Sequence, residues 1–190
     1  MFNQAIALEP NENWPHLFKA FTLWSMKGAT EESRYALESV HPDYHWLPWA
    51  WFWQDVGEHK FRRGLQRLAA NPNDWVRNKM WAYPKTQLQA LIYMYIGKAD
   101  SAEALFRKTL VQLKEEIQKW PQDPRYHVSL GLAYAALGER ENALRECKKA
   151  VELLPFPEMR FMVYPARKVW SGYTHCSVTK RRQLIRLNGC

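Results

Sequence analysis

The side chains best suited to hold a metal ion are His175, Cys176 and Cys190, near the end of the sequence. Structural zinc sites use closely spaced ligand pairs such as C-x-x-C, and the sequence has no such pair. The other cysteine, Cys147, lies inside a helical pattern, where we expect a small buried side chain. Cysteines without a pairing or ligand rhythm indicate a reducing compartment. The sequence therefore predicts no metal site, no cofactor and a cytoplasmic location.

Catalytic signatures are also missing. The sequence has no phosphate loop (G-x-x-x-x-G-K-[ST]), no dinucleotide fingerprint (G-x-G-x-x-G), no nucleophile elbow (G-x-S-x-G) and no H-E-x-x-H helix. Neighbouring carboxylates such as Glu115 and Glu116 lie on a polar helix face, where no apolar pocket is implied that would shift a carboxyl pKa. His127 lies within a helix, where a packing or capping role is the simpler interpretation. We therefore predict that the protein is not an enzyme.

Cations near the end of the sequence are suited to bind phosphate. Residues 156–190 hold seven Lys and Arg and one Glu, a net charge of +6, whereas the preceding residues are close to neutral at +2. The candidate phosphate contacts are Lys180, Arg181, Arg182 and Arg186. Trp170 or Tyr173 is a candidate stacking partner for a base. Nucleic-acid binding through this segment is one hypothesis, and a solvated basic tail is the alternative that we favour.

Aromatic side chains are concentrated in the stretch YHWLPWAWFWQD, residues 44–55, which holds four of the ten tryptophans. The stretch has no Lys or Arg to bring phosphate to the rings, and it is too short to span a bilayer. Pro48 fits the first turn of a helix, and a helix from there to Val56 places Trp49 and Trp53 on one face. A helix that is apolar nearly all round is buried on several sides. We predict a core helix, with Trp51 as the ring that reaches a groove.

The elements that must position these side chains are helices. Residues 123–155, DPRYHVSLGLAYAALGERENALRECKKAVELLP, contain one helical pattern from Tyr126 to Leu137 and a second from Glu141 to Leu154. Gly138 between them is a helix-terminating residue, and Pro155 stops the second helix. Two helices joined by so short a turn form an antiparallel helical hairpin.

This hairpin resembles a tetratricopeptide repeat. The family pattern W-x2-L-G-x2-Y, then A-x3-F, then P is met by Leu130 with Gly131, by Tyr134, by Ala143 and by Pro155. His127 replaces the usual tryptophan and Cys147 the usual phenylalanine. Small residues at the glycine and alanine positions let the two helices approach closely.

Weaker copies of the pattern recur upstream. Prolines at positions 10, 42, 72, 121 and 155 and turn glycines at 28, 57, 97 and 138 mark helix ends at intervals near the repeat length. The second clearest repeat spans residues 84–121, and its second helix runs long, from Ser101 to Trp120. We predict an all-α fold, a right-handed α-solenoid of about four partly degenerate hairpins over residues 1–155, followed by a basic, poorly patterned tail over 156–190.

Residues 83–155 also resemble the C-terminal repeat region of large bacterial regulators. In those proteins the repeats follow a winged-helix, nucleotide-cyclase or serine/threonine-kinase domain. The resemblance implies a role in signalling or transcription regulation. None of the signatures of those domains is present, and the opening MFNQAIALEPN looks like the closing helix of a repeat. Either Met1 is a true start with a lone capping helix, or the sequence is a fragment whose upstream regulatory domain is missing, and we favour the fragment.

The repeat resemblance implies a concave groove lined by the first helix of each hairpin, with groove positions at set intervals before each turn glycine. Those positions are Phe18, Thr22, Leu47, Trp51, Gln87, Leu91, Val128 and Leu132. They lack the lysines and asparagines that clamp acidic chaperone tails. The expected function is a non-catalytic protein-interaction scaffold that binds an apolar helix or peptide, with no membrane partner and with nucleic-acid binding as the alternative.

Overall fold

The structure is a computed structural model that describes residues 2–153, and these residues form nine helices and two short strands. The elements, in chain order, are α1 (Phe2–Leu8), α2 (Asn13–Lys27), α3 (Glu31–Glu38), α4 (Leu47–Gly57), α5 (Phe61–Ala70), β1 (Trp75–Arg77), β2 (Ala82–Pro84), α6 (Lys85–Tyr95), α7 (Ala99–Lys119), α8 (Pro124–Ala136) and α9 (Arg140–Leu153). The predicted basic tail, with its four candidate phosphate contacts, lies outside the described residues.

The helices stack in chain order. Pairs α2–α3, α4–α5, α6–α7 and α8–α9 are four helical hairpins, and each hairpin also packs against the next one. The helix α1 packs against α2, as the second helix of a preceding hairpin would. This architecture confirms the prediction of an all-α solenoid built from repeated hairpins. It also confirms the long second helix of the third hairpin, since α7 has 21 residues.

Glycines end three of the four first helices, as predicted. Gly28, Gly97 and Gly138 have φ angles of 80°, 77° and 78°, a left-handed conformation that only glycine adopts at little cost. The prediction for Gly57 is wrong in its detail. That residue is still helical, and the positive φ angle falls two residues later, at His59.

Close helix approach explains other small residues. A Cβ atom on Gly131 would lie 3.0 Å from Cys147 Sγ and 3.3 Å from the carbonyl oxygen of Ala143. The glycine is therefore needed where α8 crosses α9. The prediction that Cys147 is buried is wrong: the residue is exposed, because α9 has no following helix against it within the described residues.

An antiparallel pair of strands between α5 and α6 was not predicted. We call residues 71–84 the inserted hairpin. In it Val76 pairs with Tyr83, and the Oδ1 atom of Asn78 accepts hydrogen bonds from the backbone N–H groups of Met80 and Trp81, both at 2.8 Å. These bonds close the turn between the strands. Val76, Trp81 and Tyr83 are all buried and belong to the main core.

The tryptophan-rich helix α4 packs between the first hairpin and the inserted hairpin. The Trp49 ring is buried, 5.5 Å from Phe21 and 6.0 Å from Trp81 between ring centroids, and it lies beside Trp53 at 6.3 Å as the sequence predicted. Burying such large rings is a major source of folding free energy. The prediction that this run forms core between repeats is confirmed for Trp49.

A polar cluster joins the first two hairpins. Gln54 is fully buried, and its Oε1 atom accepts hydrogen bonds from Trp24 Nε1 at 2.6 Å and from Ser33 Oγ at 2.8 Å. Its Nε2 atom donates to the Thr30 carbonyl at 2.9 Å and to Glu58 at 2.7 Å. All four bonding positions of the amide are used, so the cluster fixes the register between the first two hairpins.

Candidate interaction surface on the first helices

The largest exposed aromatic side chains on a first helix lie on α2. One side of α2 carries Leu17 and Ala20, which are buried against the neighbouring helices. The other side exposes Trp14 at 49% and Phe18 at 46% of their surfaces. The helical period places these two rings one turn apart, and Thr22 follows on the same side.

The exposed rings are the outer end of a continuous series of aromatic contacts. Trp14 meets Phe18 edge-on at 6.3 Å, and Phe18 meets Phe21 at 5.8 Å between ring centroids. Phe21 then contacts Trp46 at 6.3 Å and Trp49 at 5.5 Å on α4. We call these five residues the aromatic ladder. Its inner rings, Phe21, Trp46 and Trp49, pack in or against the core, and they support the outer rings of Trp14 and Phe18.

The eight predicted groove residues differ widely in exposure. Phe18 and Thr22 are exposed, and Trp51, Val128 and Leu132 are half-buried. Leu47, Gln87 and Leu91 are buried within the protein, with at most 9% of their surfaces exposed. Those three side chains offer no surface to a partner in this structure, whereas Phe18 and Thr22 do.

Trp51 is also partly covered. The guanidinium group of Arg67 lies over the Trp51 ring, 4.0 Å from its centroid, in a cation–π contact. Arg67 belongs to α5, the second helix of the same hairpin. The contact accounts for part of the burial of a ring that the sequence placed in a groove.

The inserted hairpin packs across the first helices α4, α6 and α8. Trp81 stacks on Trp49 of α4, and Ser129 of α8 donates a 2.6 Å hydrogen bond from Oγ to the carbonyl of Ala82. Arg125, one turn before Ser129, donates from Nη1 to the carbonyl of Asn78 at 2.6 Å. Over residues 2–153, the inserted hairpin thus covers part of the first helices of the last three hairpins, while Trp14 and Phe18 on α2 stay exposed.

Charged side chains at the end of α4 pair with those of α3 and α5. Burial raises the pKa of Asp55 above its usual range, against the opposing hydrogen bond and charge of Arg63. Burial acts in the same direction on Glu58, but hydrogen bonds from Gln54, Arg34 and Arg63 outweigh it and lower the pKa of that carboxyl. These groups form a structural ion-pair cluster between α3, α4 and α5.

Among residues 2–153, no group of three or more His, Cys, Asp and Glu side chains is placed to hold a metal ion. Over the same residues, no helix combines the length and apolar character needed to cross a bilayer. His127, considered as a possible base, is buried and has hydrogen-bond partners in Glu146 at 2.9 Å and the Pro121 carbonyl at 3.2 Å, which fits a packing role.

Two features of the surface were absent from the sequence predictions. Trp14 lies four residues before Phe18, a spacing that marks a shared helix face. The inserted hairpin has a weaker signal, because each strand has only three residues. Alternation of apolar and polar residues cannot be recognised over so short a length.

The fold and the surface define a class: an all-α stack of helical hairpins with an exposed aromatic first-helix face. Residues 124–155 match the family model described as tetratricopeptide repeat, and this segment of the chain is such a repeat. Two crystal structures of MamA are similar to the chain, both with 19% identical residues over 80% of this chain. They are covered over 84% and 78% of their own chains, with TM-scores of 0.42 and 0.41. No curated protein matches the sequence.

Proposed function

We propose that the protein is a non-catalytic protein-interaction scaffold and that its partner binds the outer, exposed rings of the aromatic ladder on α2. The observation that carries the proposal is the exposure of Trp14 and Phe18 on a first helix, since large aromatic side chains normally contribute to the core. Exposed aromatic groups on a rigid base are typical anchors of protein interfaces.

The chemistry of the ladder favours an apolar helix or peptide. Phe18 and Trp14 provide apolar area, and Thr22 already donates its hydroxyl to the Phe18 carbonyl at 2.9 Å. No Lys or Arg is part of the ladder, so an acidic peptide would find no ion-pair partner there. An amphipathic helix with large apolar side chains on one face matches this surface best.

Site-directed photo-crosslinking in the source cells tests the proposal. A photoreactive residue at position 22 is expected to capture a protein, and one at position 111 is the control, because Val111 is exposed on the second helix α7. The purified partner should then bind the Phe18→Ala chain about tenfold more weakly and the Val111→Ala chain with unchanged affinity. Equal losses in both variants, with helical content preserved, would rule out the ladder as the binding surface.

A place within a bacterial signalling or transcription regulator, in the cytoplasm, is the finer part of the proposal. Its support is the resemblance of residues 83–155 to the repeat regions of such regulators. On this view the scaffold acts beside an upstream regulatory domain. A search of the flanking DNA for an in-frame winged-helix, cyclase or kinase domain tests that part without affecting the proposal for the ladder.

The alternative function is nucleic-acid binding through Lys180, Arg181, Arg182 and Arg186. The observation that favours it is the net charge of +6 over residues 156–190. Binding through these four cations would weaken steeply with salt, because each phosphate contact releases a counterion. Gel-shift titrations between about 50 and 200 mM salt would show this dependence and its loss on removing residues 166–190. Absence of binding at low salt would end the alternative.

A further inference from the structure

We propose that the cavity between α1, α2 and α3 binds a small organic carboxylate, whose charged group contacts His16 and Lys19 and whose apolar body fills the rest of the space. The cavity has a volume of about 520 Å³, which is typical of small-molecule sites. None of the five residues of the aromatic ladder lines it. The proposal therefore goes beyond the function assigned to the ladder and does not depend on it.

The lining of the cavity combines apolar surface with a few polar groups. Ile6 and Ala7 of α1 and Ala36 of α3 supply apolar surface. The polar side chains in the lining are Asn3, His16, Lys19, Glu32, Tyr35 and Ser39. Such a lining suits a ligand with an apolar body and one polar end.

His16 is the buried polar residue of the cavity wall, with only 8% of its surface exposed. Its Nε2 atom lies 3.0 Å from the carbonyl oxygen of Pro10. Because a carbonyl oxygen only accepts, Nε2 carries the proton of this hydrogen bond. Among residues 2–153, no group forms a hydrogen bond with the other ring nitrogen, Nδ1. One nitrogen of a buried imidazole is therefore left for a ligand.

The fourth hairpin contains the same arrangement with a carboxylate in place. His127 and His16 each lie six residues after a proline, and each ring contacts the carbonyl of that proline through Nε2. In the fourth hairpin this proline is Pro121, at 3.2 Å. The Nδ1 atom of His127 contacts Glu146 Oε2 on α9 at 2.9 Å. Both partners of this ring are acceptors, so both nitrogens act as donors in the arrangement.

The first hairpin lacks this carboxylate. Glu146 lies eight residues after the turn glycine Gly138, and the residue eight positions after Gly28 is Ala36. Ala36 is buried and lines the cavity. A methyl group thus stands where the fourth hairpin has a carboxylate, and the cavity lies beside it. The carboxylate of a ligand would complete the arrangement around the histidine.

Lys19 supplies a positive charge at the same wall. It follows His16 by three residues on α2, so the two side chains are neighbours on one helix face, and both line the cavity. Lys19 is half-buried and forms no salt bridge within residues 2–153. The carboxylate in the lining, Glu32, pairs with Lys27 at 3.3 Å. A ligand carboxylate therefore finds an unpaired cation in the lining, whereas a ligand amine would compete with Lys27 for Glu32.

Isothermal titration of the full chain with octanoate tests the proposal. Octanoate carries one carboxylate on an apolar chain, and 1-octanol is the control, since it has the same chain without the charge. We expect octanoate to bind at least about tenfold more tightly than 1-octanol. Equal binding of the two would mean an apolar cavity without carboxylate recognition and would overturn the proposal, as would the absence of octanoate binding.

Two substitutions test the polar contacts. His16→Gln keeps an amide donor for the Pro10 carbonyl but removes Nδ1, and Lys19→Gln removes the charge, so each should weaken octanoate binding about tenfold. Lys108→Gln changes an exposed lysine on α7 and is the matched control, with unchanged affinity expected. Phe18→Ala on the aromatic ladder should also leave octanoate binding unchanged, so the two proposals can fail separately. Wild-type affinity in the folded Lys19→Gln chain would overturn the proposal.

Ala36→Glu tests the comparison with the fourth hairpin, because it places a carboxylate of the same chain in the cavity. We expect octanoate binding to be lost while the circular dichroism of the chain is preserved. A folded Ala36→Glu chain that binds octanoate as the wild type does would overturn the proposal. If this variant does not fold, Lys19→Gln measured against Lys108→Gln decides. Binding of acetyl-leucyl-leucine in place of octanoate would assign the cavity to the end of a peptide and would overturn the choice of a small molecule.

Discussion

Gln54 shows how single residues fix the relation between hairpins. Its amide receives two hydrogen bonds and donates two, to groups on α2, on α4 and at the start of α3. A buried polar group of this kind is costly unless every bond is made. The position therefore requires an amide of this length, and we expect little tolerance for substitution.

We predict that Gln54→Leu lowers the free energy of unfolding by about 2–3 kcal/mol, because it leaves the Trp24 indole N–H without its partner and removes one of the hydrogen bonds to Glu58. Urea denaturation followed by circular dichroism measures the change. Gln66→Leu on the exposed side of α5 is the matched control and should change stability by no more than about 0.5 kcal/mol. Equal losses in the two variants would show that the hydrogen bonds of Gln54 contribute nothing specific.

Glu58 makes the free energy of unfolding depend on pH. Its folded-state pKa lies below the usual value of 4.5, so its ion pairs stabilise the protein above that pH and are lost as the pH falls through the folded-state pKa. Asp55 opposes this effect, because burial raises its pKa and favours its protonated form in the folded state.

We predict that the free energy of unfolding falls on acidification below about pH 4.5 and that Glu58→Gln makes this fall shallower. The measurement is a series of urea titrations across the acid range. Glu141→Gln, which changes an exposed carboxylate on α9, should leave the slope as in the wild type. A wild-type slope in the Glu58→Gln protein would mean that other carboxylates govern acid unfolding.

The helical hairpins depend on the close approach of one helix to another at a few small residues. Gly131 faces the backbone of α9, which cannot move without displacing the helix, whereas Gly64 faces the end of the Ile92 side chain, which can rotate. A Gly→Ala substitution at these two positions therefore compares a clash with fixed backbone to a clash with the end of a side chain.

We predict that Gly131→Ala destabilises the protein by about 1–2 kcal/mol, since the clash exceeds the gain in helix propensity of about 1 kcal/mol. Gly64→Ala should cost less, because only the terminal methyl group of Ile92 has to give way. Thermal unfolding of the two variants gives the comparison. The explanation is wrong if Gly64→Ala is the more damaging change.

Most helices could be predicted because their signals are local. Turn glycines, prolines and the 3.6-residue period identify α2, α4, α6, α7, α8 and α9 without knowledge of tertiary contacts. The inserted hairpin could not be predicted in this way. Its three-residue strands are stabilised by Trp49, Arg125 and Ser129, which are distant in sequence.

The proposed binding surface was only partly predictable for the same reason. Helical spacing places Phe18, Leu47 and Gln87 at equivalent positions of their hairpins, yet Phe18 is exposed and the other two are buried. The difference comes from the tertiary contacts around each helix: the Gln87 amide, for example, donates to the Ser129 carbonyl of α8 at 3.0 Å. Sequence period predicts which side of a helix a residue occupies, but not what covers that side.

In the whole molecule, the first helices of the stack differ in what covers them. The outer rings of the aromatic ladder, Trp14 and Phe18 on α2, are exposed, whereas α4, α6 and α8 contact the inserted hairpin of their own chain. Because each hairpin contacts its neighbours, the core is continuous from α2 to α9 over the described residues. A partner on the exposed end of the ladder would therefore bind a surface that is supported by the stack.

The affinity of the crosslinked partner for the Phe18→Ala chain tests the central claim most directly. Isothermal titration of the purified partner should give about tenfold weaker binding for Phe18→Ala than for the wild type and no change for Val111→Ala, with both variants retaining wild-type helical content. Unchanged affinity for a folded Phe18→Ala chain would contradict the claim that the aromatic ladder is the interaction surface.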